Sequence, residues 1–416
     1  MGGKNRDQHL IYNLLNQEEK IHAGLHGSNE DSVVSLVDNF LFEAIKLRAS
    51  DIHLESGQSD MRLRFRIDGI LYDQDPIEFD KRLAVVSRLK VLASLDIAEK
   101  RIPQDGKIRV KVKDKDPIDI RVSTFPSVYG EKVVLRILDC SNSIKTLDSL
   151  GLNSQDFKKL NDLIKRPYGF FLVTGPTGSG KSTTLYAILS ILNNTERNIV
   201  TMEDPVEYNI DGVTQSQVNS KIGFTFDNGL RSILRQDPDV IMVGEIRDKP
   251  TAQIAIEAAL TGHLVLSTLH TNDSVGSITR LIDMGVEPFL INAALSGVLA
   301  QRLCRILCSK CKKEVCLSNQ EKEFLKNKFN CDLKTNFVSV GCKDCFNLGH
   351  KGRTGIFELL IIDDDIRDLV TSFSSCISIK KKAIKSGMNL LTQDALQKVK
   401  NGIISLQEFL KVFGEV

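Results

Sequence analysis

Eight consecutive residues, Gly175-Pro176-Thr177-Gly178-Ser179-Gly180-Lys181-Ser182, fit the pattern G-x-x-x-x-G-K-[ST] without exception. Such a run is suited to holding phosphate. Its glycines let backbone N–H groups curl around the oxygens, and the helix that follows offers its positive N-terminus. Lys181 supplies a point charge for β- and γ-phosphates, the Ser182 hydroxyl is placed to ligate Mg²⁺, and Thr183 completes the nucleotide-binding set. A chance glycine turn is the plain alternative. The apolar run Gly169 to Thr174 before the loop and the helical pattern after it argue against that alternative.

Phosphoryl transfer also needs an acid to hold the metal and position water. Asp239-Val-Ile-Met-Val-Gly-Glu245 is an apolar strand ending in a carboxylate. Glu245 is the candidate for polarising the attacking water or tuning Mg²⁺, because ligands of α/β sheets bind at the C-terminal strand ends. Asp239, at the other end of that strand, reads as a turn residue. Glu203-Asp204 follows a second apolar strand and points to the same crevice, with a helix cap before Pro205 as the alternative. His263 and His270 bracket the run Leu264 to Leu269; His270 emerges at the edge shared by the other candidates and is read as a γ-phosphate sensor.

Cys308-x-x-Cys311 and Cys342-x-x-Cys345 are two C-x₂-C pairs thirty residues apart. Two such knuckles offer four thiolates, which is a closed structural Zn²⁺ site with no open position for catalysis. Four buried thiols are the bland alternative. Cys140, Cys304, Cys316, Cys331 and Cys376 have no paired spacing and read as structural or incidental.

The elements that must position these groups follow from pattern. With 416 residues the chain exceeds one ordinary core, and 42% apolar with 26% charged residues is a globular composition. A net charge of +2 gives no reason to expect a nucleic-acid partner. No transmembrane run and no signal peptide are apparent, so the expectation is a cytoplasmic protein with reduced thiols. Residues 1–30 read as a flexible arm. Residues 31–140 combine a helix near 32–47, strands at 52–55 and 61–67 with an Asp68-Gly69 turn, a helix over 81–98, and strands at 107–112, 117–123 and 132–138: a small α+β domain. Residues 141–150 suit a linker. Over 151–302 strands alternate with helices, which predicts a parallel sheet covered on both faces. The cysteine-rich part is 303–352, and 353–416 is mainly helical.

Together these segments resemble the secretion ATPase superfamily, specifically the type II secretion and type IV pilus-assembly ATPases. GPTGSGKSTTLY (175–186), TMEDPVEY (201–208), GLRSILRQDPDVIMVGEIRD (229–248) and TGHLVLSTLHTNDS (261–274) resemble its Walker A, Asp, Walker B and His boxes in order. RASDIHLE (48–55), RFRIDG (64–69), RIPQDGKI (101–108) and IRVSTFPSVYGEKVVLRIL (120–138) resemble its second N-terminal domain. The resemblance implies a RecA-like P-loop domain, a PAS-like N-terminal domain, a hexameric ring and ATP held between the two domains. Arg121 and Arg136 match arginines that the N-terminal domain contributes to the phosphates, and Arg280 matches another near the site. A surface ion pair is the plain alternative for each. The tetracysteine segment accompanies the assembly and secretion branches. Members of the secretion branch usually carry a further N-terminal domain that docks on an inner-membrane partner, whereas this sequence begins almost directly at the second domain.

The favoured reading is therefore a Mg²⁺-dependent ATPase, with structural Zn²⁺, that drives secretion or pilus assembly. It would act through an inner-membrane platform and cytoplasmic-domain proteins and stay peripheral to that membrane. A DNA translocase or helicase with a zinc ribbon is the alternative, and a scaffold that binds ATP but barely hydrolyses it is a third reading.

Overall fold

The structure, a computed structural model, describes residues 11–14 (backbone only), 33–112, 116–138, 145–372 and 374–414. The chain divides into two compact units, Met1–Ser143 and Ile144–Val416. Among the described residues no helix is long and apolar enough to cross a membrane.

The first unit begins with β1 (Ile11–Leu14), α1 (Val33–Lys46), β2 (Ala49–Ser56), β3 (Asp60–Ile67), β4 (Ile70–Asp73) and β5 (Ile77–Glu78). It continues with α2 (Arg82–Leu92), β6 (Gln104–Val112), β7 (Ile118–Ser127) and β8 (Gly130–Leu138). The strands form one sheet in the order β1-β6-β7-β8-β2-β3-β4, with β5 beside β3. Helix α1 buries Val37, Phe40, Leu41, Ala44 and Ile45, the face that the apolar spacing predicts. Asp68 and Gly69 both have positive φ (47° and 90°) and join β3 to β4 as a two-residue hairpin. Helix α2 is shorter than the expected 81–98, because Ser94 adopts a left-handed conformation (φ 57°) and ends it. Strand β1, parallel to β6, lies inside the segment read as a flexible arm; the remainder of 1–30 lies outside the described residues.

The second unit opens with a 3₁₀ turn, Leu147–Leu150, whose buried Leu147 and Leu150 join its core. Residues 141–144 of the expected linker lie outside the described residues. The elements that follow are α3 (Ser154–Ile164), β9 (Gly169–Thr174), α4 (Lys181–Leu192), β10 (Ile199–Glu203), β11 (Thr214–Gln217), α5 (Phe226–Ile233), β12 (Val240–Val243), α6 (Lys249–Leu260) and β13 (Leu264–Leu269). After α7 (Ser274–Asp283) and α8 (Pro288–Ala294) comes the long strand β14 (Leu295–Leu307). Then follow β15 (Lys312–Cys316), α9 (Asn319–Phe329), β16 (Thr335–Ser339) and β17 (His350–Ile361). Helices α10 (Asp364–Thr371), α11 (Cys376–Lys385), α12 (Leu391–Lys400) and α13 (Leu406–Phe413) complete the unit.

The central sheet runs β11-β10-β12-β13-β9-β14-β17, parallel throughout except for β17, which is antiparallel to β14. This is the α/β P-loop architecture that the alternating pattern predicts. Along β9, Phe170 and Leu172 enter one apolar cluster while Phe171 and Val173 enter the other. Both faces of the strand are therefore covered, which is why it reads as an unbroken apolar run. The boundaries drawn at 302 and 352 fall inside β14 and β17: the cysteine-rich segment is an excursion between two hydrogen-bonded strands of the sheet.

Candidate nucleotide and metal sites

The loop after β9 begins at the sheet's C-terminal edge and ends in α4. Gly175, Gly178 and Gly180 have φ of 152°, 77° and 88°, conformations that side-chain-bearing residues rarely adopt. At Gly175 a Cβ would also lie 2.5 Å from the Gln301 carbonyl oxygen. Pro176, Thr177 and Gly178 are exposed at the loop tip, as are Ser182 and, in part, Thr183 in the first turn of α4. The Ser179 hydroxyl is buried without a hydrogen-bond partner. Lys181 is itself buried and folds its Nζ back to donate to the carbonyls of Gly175 (2.8 Å) and Pro176 (3.2 Å). Burial draws its amine below the ordinary lysine value, against the opposing effect of Glu245 and with the added repulsion of Arg302.

Gln301, on β14, is a site residue that the sequence reading missed. Its Nε2 donates to the Ser179 carbonyl (2.7 Å) and its Oε1 accepts from the Thr184 hydroxyl (2.8 Å). One buried amide thus ties the loop to the helix that the loop starts. The neighbouring Arg302 donates to the carbonyls of Gln301 (3.0 Å) and Asn272 (2.8 Å). Neither residue carries a motif signal; only the pairing of β14 with β9 puts them here.

Glu245 stands two residues beyond β12 and is partly exposed. It pairs with Arg247, and its Oε2 lies 3.2 Å from His270 Nε2. Burial pushes its carboxyl up, but the Arg247 and His270 contacts outweigh that and hold it below the usual carboxylate value. Glu203, at the end of β10, is buried. Its carboxylate accepts from the hydroxyls of Tyr186 and Thr201 (2.6 Å) and from Gln215 Nε2 (3.1 Å). No helix follows Glu203-Asp204, so the capping alternative does not apply. His263 bonds the Ala258 carbonyl (2.9 Å) at the opposite end of β13 from His270, and Asp239 accepts from the Asn198 N–H (2.7 Å) at the start of β12. Arg280 is exposed on α7 and lines a groove with Thr279, Asp283, Cys376 and Lys380.

In the first unit, Arg121 and Arg136 are directly opposite each other across β7 and β8. Pairing continues on the same sheet face to Lys107 on β6, Asp51 on β2 and Arg66 on β3. Asp51 Oδ1 accepts from Arg136 Nε at 3.0 Å, and Arg66 lies 3.6 Å from Asp51. Five ionised side chains in a row thus carry four positive charges and one negative charge.

The four paired cysteines converge. Sγ atoms of Cys308 and Cys342, of Cys311 and Cys345, and of Cys342 and Cys345 are 3.8, 3.8 and 3.7 Å apart, and all four lie within 4.8 Å of one another. Tetrahedral thiolates at a Zn–S bond of about 2.3 Å have their sulfurs about 3.8 Å apart, so the set fits zinc. The N–H groups of Cys342 and Gly349 each donate to Cys345 Sγ at 3.2 Å. Burial raises that thiol, and these donors outweigh it to bring it down to about 7. Cys304 and Cys331 are buried elsewhere, Cys316 and Cys376 are exposed, and Cys140 lies outside the described residues.

Residues 27–411 match the family described as "Type II/IV secretion system protein". The chain is 47% identical over 417 residues to the type II secretion system ATPase E of Vibrio cholerae, covering 100% of this chain and 81% of that protein. It is 47% identical over 396 residues to the type IV pilus assembly ATPase PilB of Myxococcus xanthus, covering 94% of this chain and 70% of that protein. Among solved structures, the ATPase DotB of Legionella pneumophila superposes with a TM-score of 0.69 at 22% identity, over 98% of this chain and 100% of that one, a likeness of fold.

Proposed function

This chain belongs to the type II/IV secretion system protein family and is an ATPase of it; from that premise we propose how its residues divide the work of hydrolysis. The phosphates of ATP lie against the backbone N–H groups of residues 177–183, and Lys181 exchanges two neutral carbonyls for β- and γ-phosphate oxygens. Ser182 holds Mg²⁺, which when bound supplies positive charge that offsets the charge developing on the transferred group. Glu245 orients the attacking water, and Glu203 acts beside it from the neighbouring strand end. His270 senses the γ-phosphate through its contact with Glu245. Arg280, Arg121 and Arg136 add positive charge as the ring closes on nucleotide, and positioned charge is the main source of acceleration in this chemistry.

The unit at work is a ring of six copies, acting at the cytoplasmic face of the inner membrane. It pulls through platform and cytoplasmic-domain proteins to drive type II secretion or type IV pilus assembly, without a nucleic-acid partner. Four thiolates hold Zn²⁺ as a structural staple.

The observation that carries the nucleotide reading is the glycine-lined loop in which Lys181 is satisfied by the carbonyls of Gly175 and Pro176. Lys181→Ala is expected to abolish ATP turnover while the circular dichroism spectrum stays that of the wild type. Wild-type turnover in that variant would overturn the assignment.

A further inference from the structure

Two carboxylates end adjacent strands, and their surroundings differ. Glu245 is partly open and meets the charged groups Arg247 and His270. Glu203 is 4% exposed and meets two hydroxyls and an amide; among the described residues no ion pair involves it. Gly244 brings the two strand ends together, since a Cβ there would lie 3.4 Å from the Glu203 Cα. Burying a carboxylate costs free energy unless donors compensate it. A brace alone would be served by a neutral amide, so an acid held by neutral donors at this edge calls for another account.

The most constrained donor is Tyr186. It sits on α4 five residues after Lys181 and is buried (1% exposed). Its ring packs edge-on against Tyr208 at 4.4 Å. Its oxygen accepts the Glu207 N–H at 3.2 Å while its proton is given to Glu203. The phenol is therefore fixed in place and in direction by the segment just after Glu203, and it is carried by the helix whose first turn is the phosphate site.

We infer that Tyr186 is a positioning residue for hydrolysis: its hydroxyl sets the Glu203 carboxylate, so that the position of this acid follows the helix that holds the phosphates. The inference rests on Glu203 acting at the nucleotide. Tyr186→Phe retains the ring and its packing on Tyr208 and removes the hydroxyl, with the bond it gives to Glu203 and the one it accepts from the Glu207 N–H.

The test uses the full chain with Mg²⁺ and ATP, measuring steady-state turnover together with the affinity for a fluorescent ADP. Tyr186→Phe is expected to lower kcat about tenfold and to leave KM and ADP affinity within twofold. Three results are adverse. Glu203→Gln without turnover, beside Tyr186→Phe with wild-type kcat, overturns the positioning role alone. Loss of ADP binding in Tyr186→Phe assigns the hydroxyl to folding of the site and overturns it too. Wild-type turnover in Glu203→Gln overturns the reading of Glu203 beneath it.

Discussion

Replacing Gln301 with alanine is the sharpest test of how the phosphate loop is held. The amide makes two buried hydrogen bonds, to the Ser179 carbonyl at 2.7 Å and from the Thr184 hydroxyl at 2.8 Å. Removing it leaves both groups without that partner in a region closed to water, at about 1–3 kcal/mol per buried unsatisfied group. The expected loss is therefore about 2–6 kcal/mol, measured by guanidinium unfolding followed by circular dichroism, since the chain has no tryptophan. Thr184→Val breaks only one of the two bonds and is expected to cost about half as much. The double variant then reports a coupling of about 1 kcal/mol, as residues in contact do. Loosening the loop also lowers the fraction of molecules ready to accept phosphate, and each 1.4 kcal/mol of that preorganisation is about tenfold in ATP affinity. KM for ATP should rise accordingly, with a smaller effect on kcat. If Gln301→Ala unfolded within 0.5 kcal/mol of the wild type and bound ATP within about twofold, the brace would be an incidental contact and this reasoning would be wrong.

The cation row and the cysteines give two further tests. The Arg136 side chain is 63% exposed in its pair with Asp51, so Arg136→Ala should change stability by under ~1 kcal/mol. If the guanidinium meets the phosphates in the assembled ring, the same substitution, or Arg121→Ala, should lower kcat by at least about a hundredfold; unchanged turnover in both would return them to the role of surface ions. Cys345→Ser, or a strong chelator, should release about one zinc per chain in a colorimetric assay. Because the Leu307 N–H donates to the Ile403 carbonyl (2.8 Å) and Lys312 Nζ to the Gly402 carbonyl (2.7 Å), α12 and α13 should then exchange amide hydrogens faster. A purified chain that carries no zinc, or unaltered exchange over 391–413 after chelation, would refute the staple.

The glycine loop at 175–182 was legible in the sequence because its requirements are local. Positive φ at Gly175, Gly178 and Gly180 demands glycine, and the lysine and serine follow within two residues, so eight consecutive letters carry the whole device. The strand type of β9 was equally local: a run buried on both faces must be apolar throughout. The cysteine pairs were legible as knuckles for the same reason, each pair spanning a single tight turn.

What the letters do not carry is convergence. Cys308 and Cys342 meet because β14 and β17 pair in a register that sets Leu307 opposite His350. Arg121 faces Arg136 because the hairpin closes Ser127 against Gly130, and counting six residues back and six forward from that turn brings the two arginines level. Gln301 reaches the loop only because β14 lies beside β9, and Tyr186 reaches Glu203 only because α4 packs on the sheet, in the apolar cluster that it shares with Ile199 of β10. Residue type and local dihedral preference act within one turn of chain, so sequence alone determined the glycine loop, its flanking elements and the cysteine knuckles. Hydrogen-bond register and helix packing act between segments tens to more than a hundred residues apart, and the tertiary structure alone decided which polar groups brace that loop and which acid stands buried behind it.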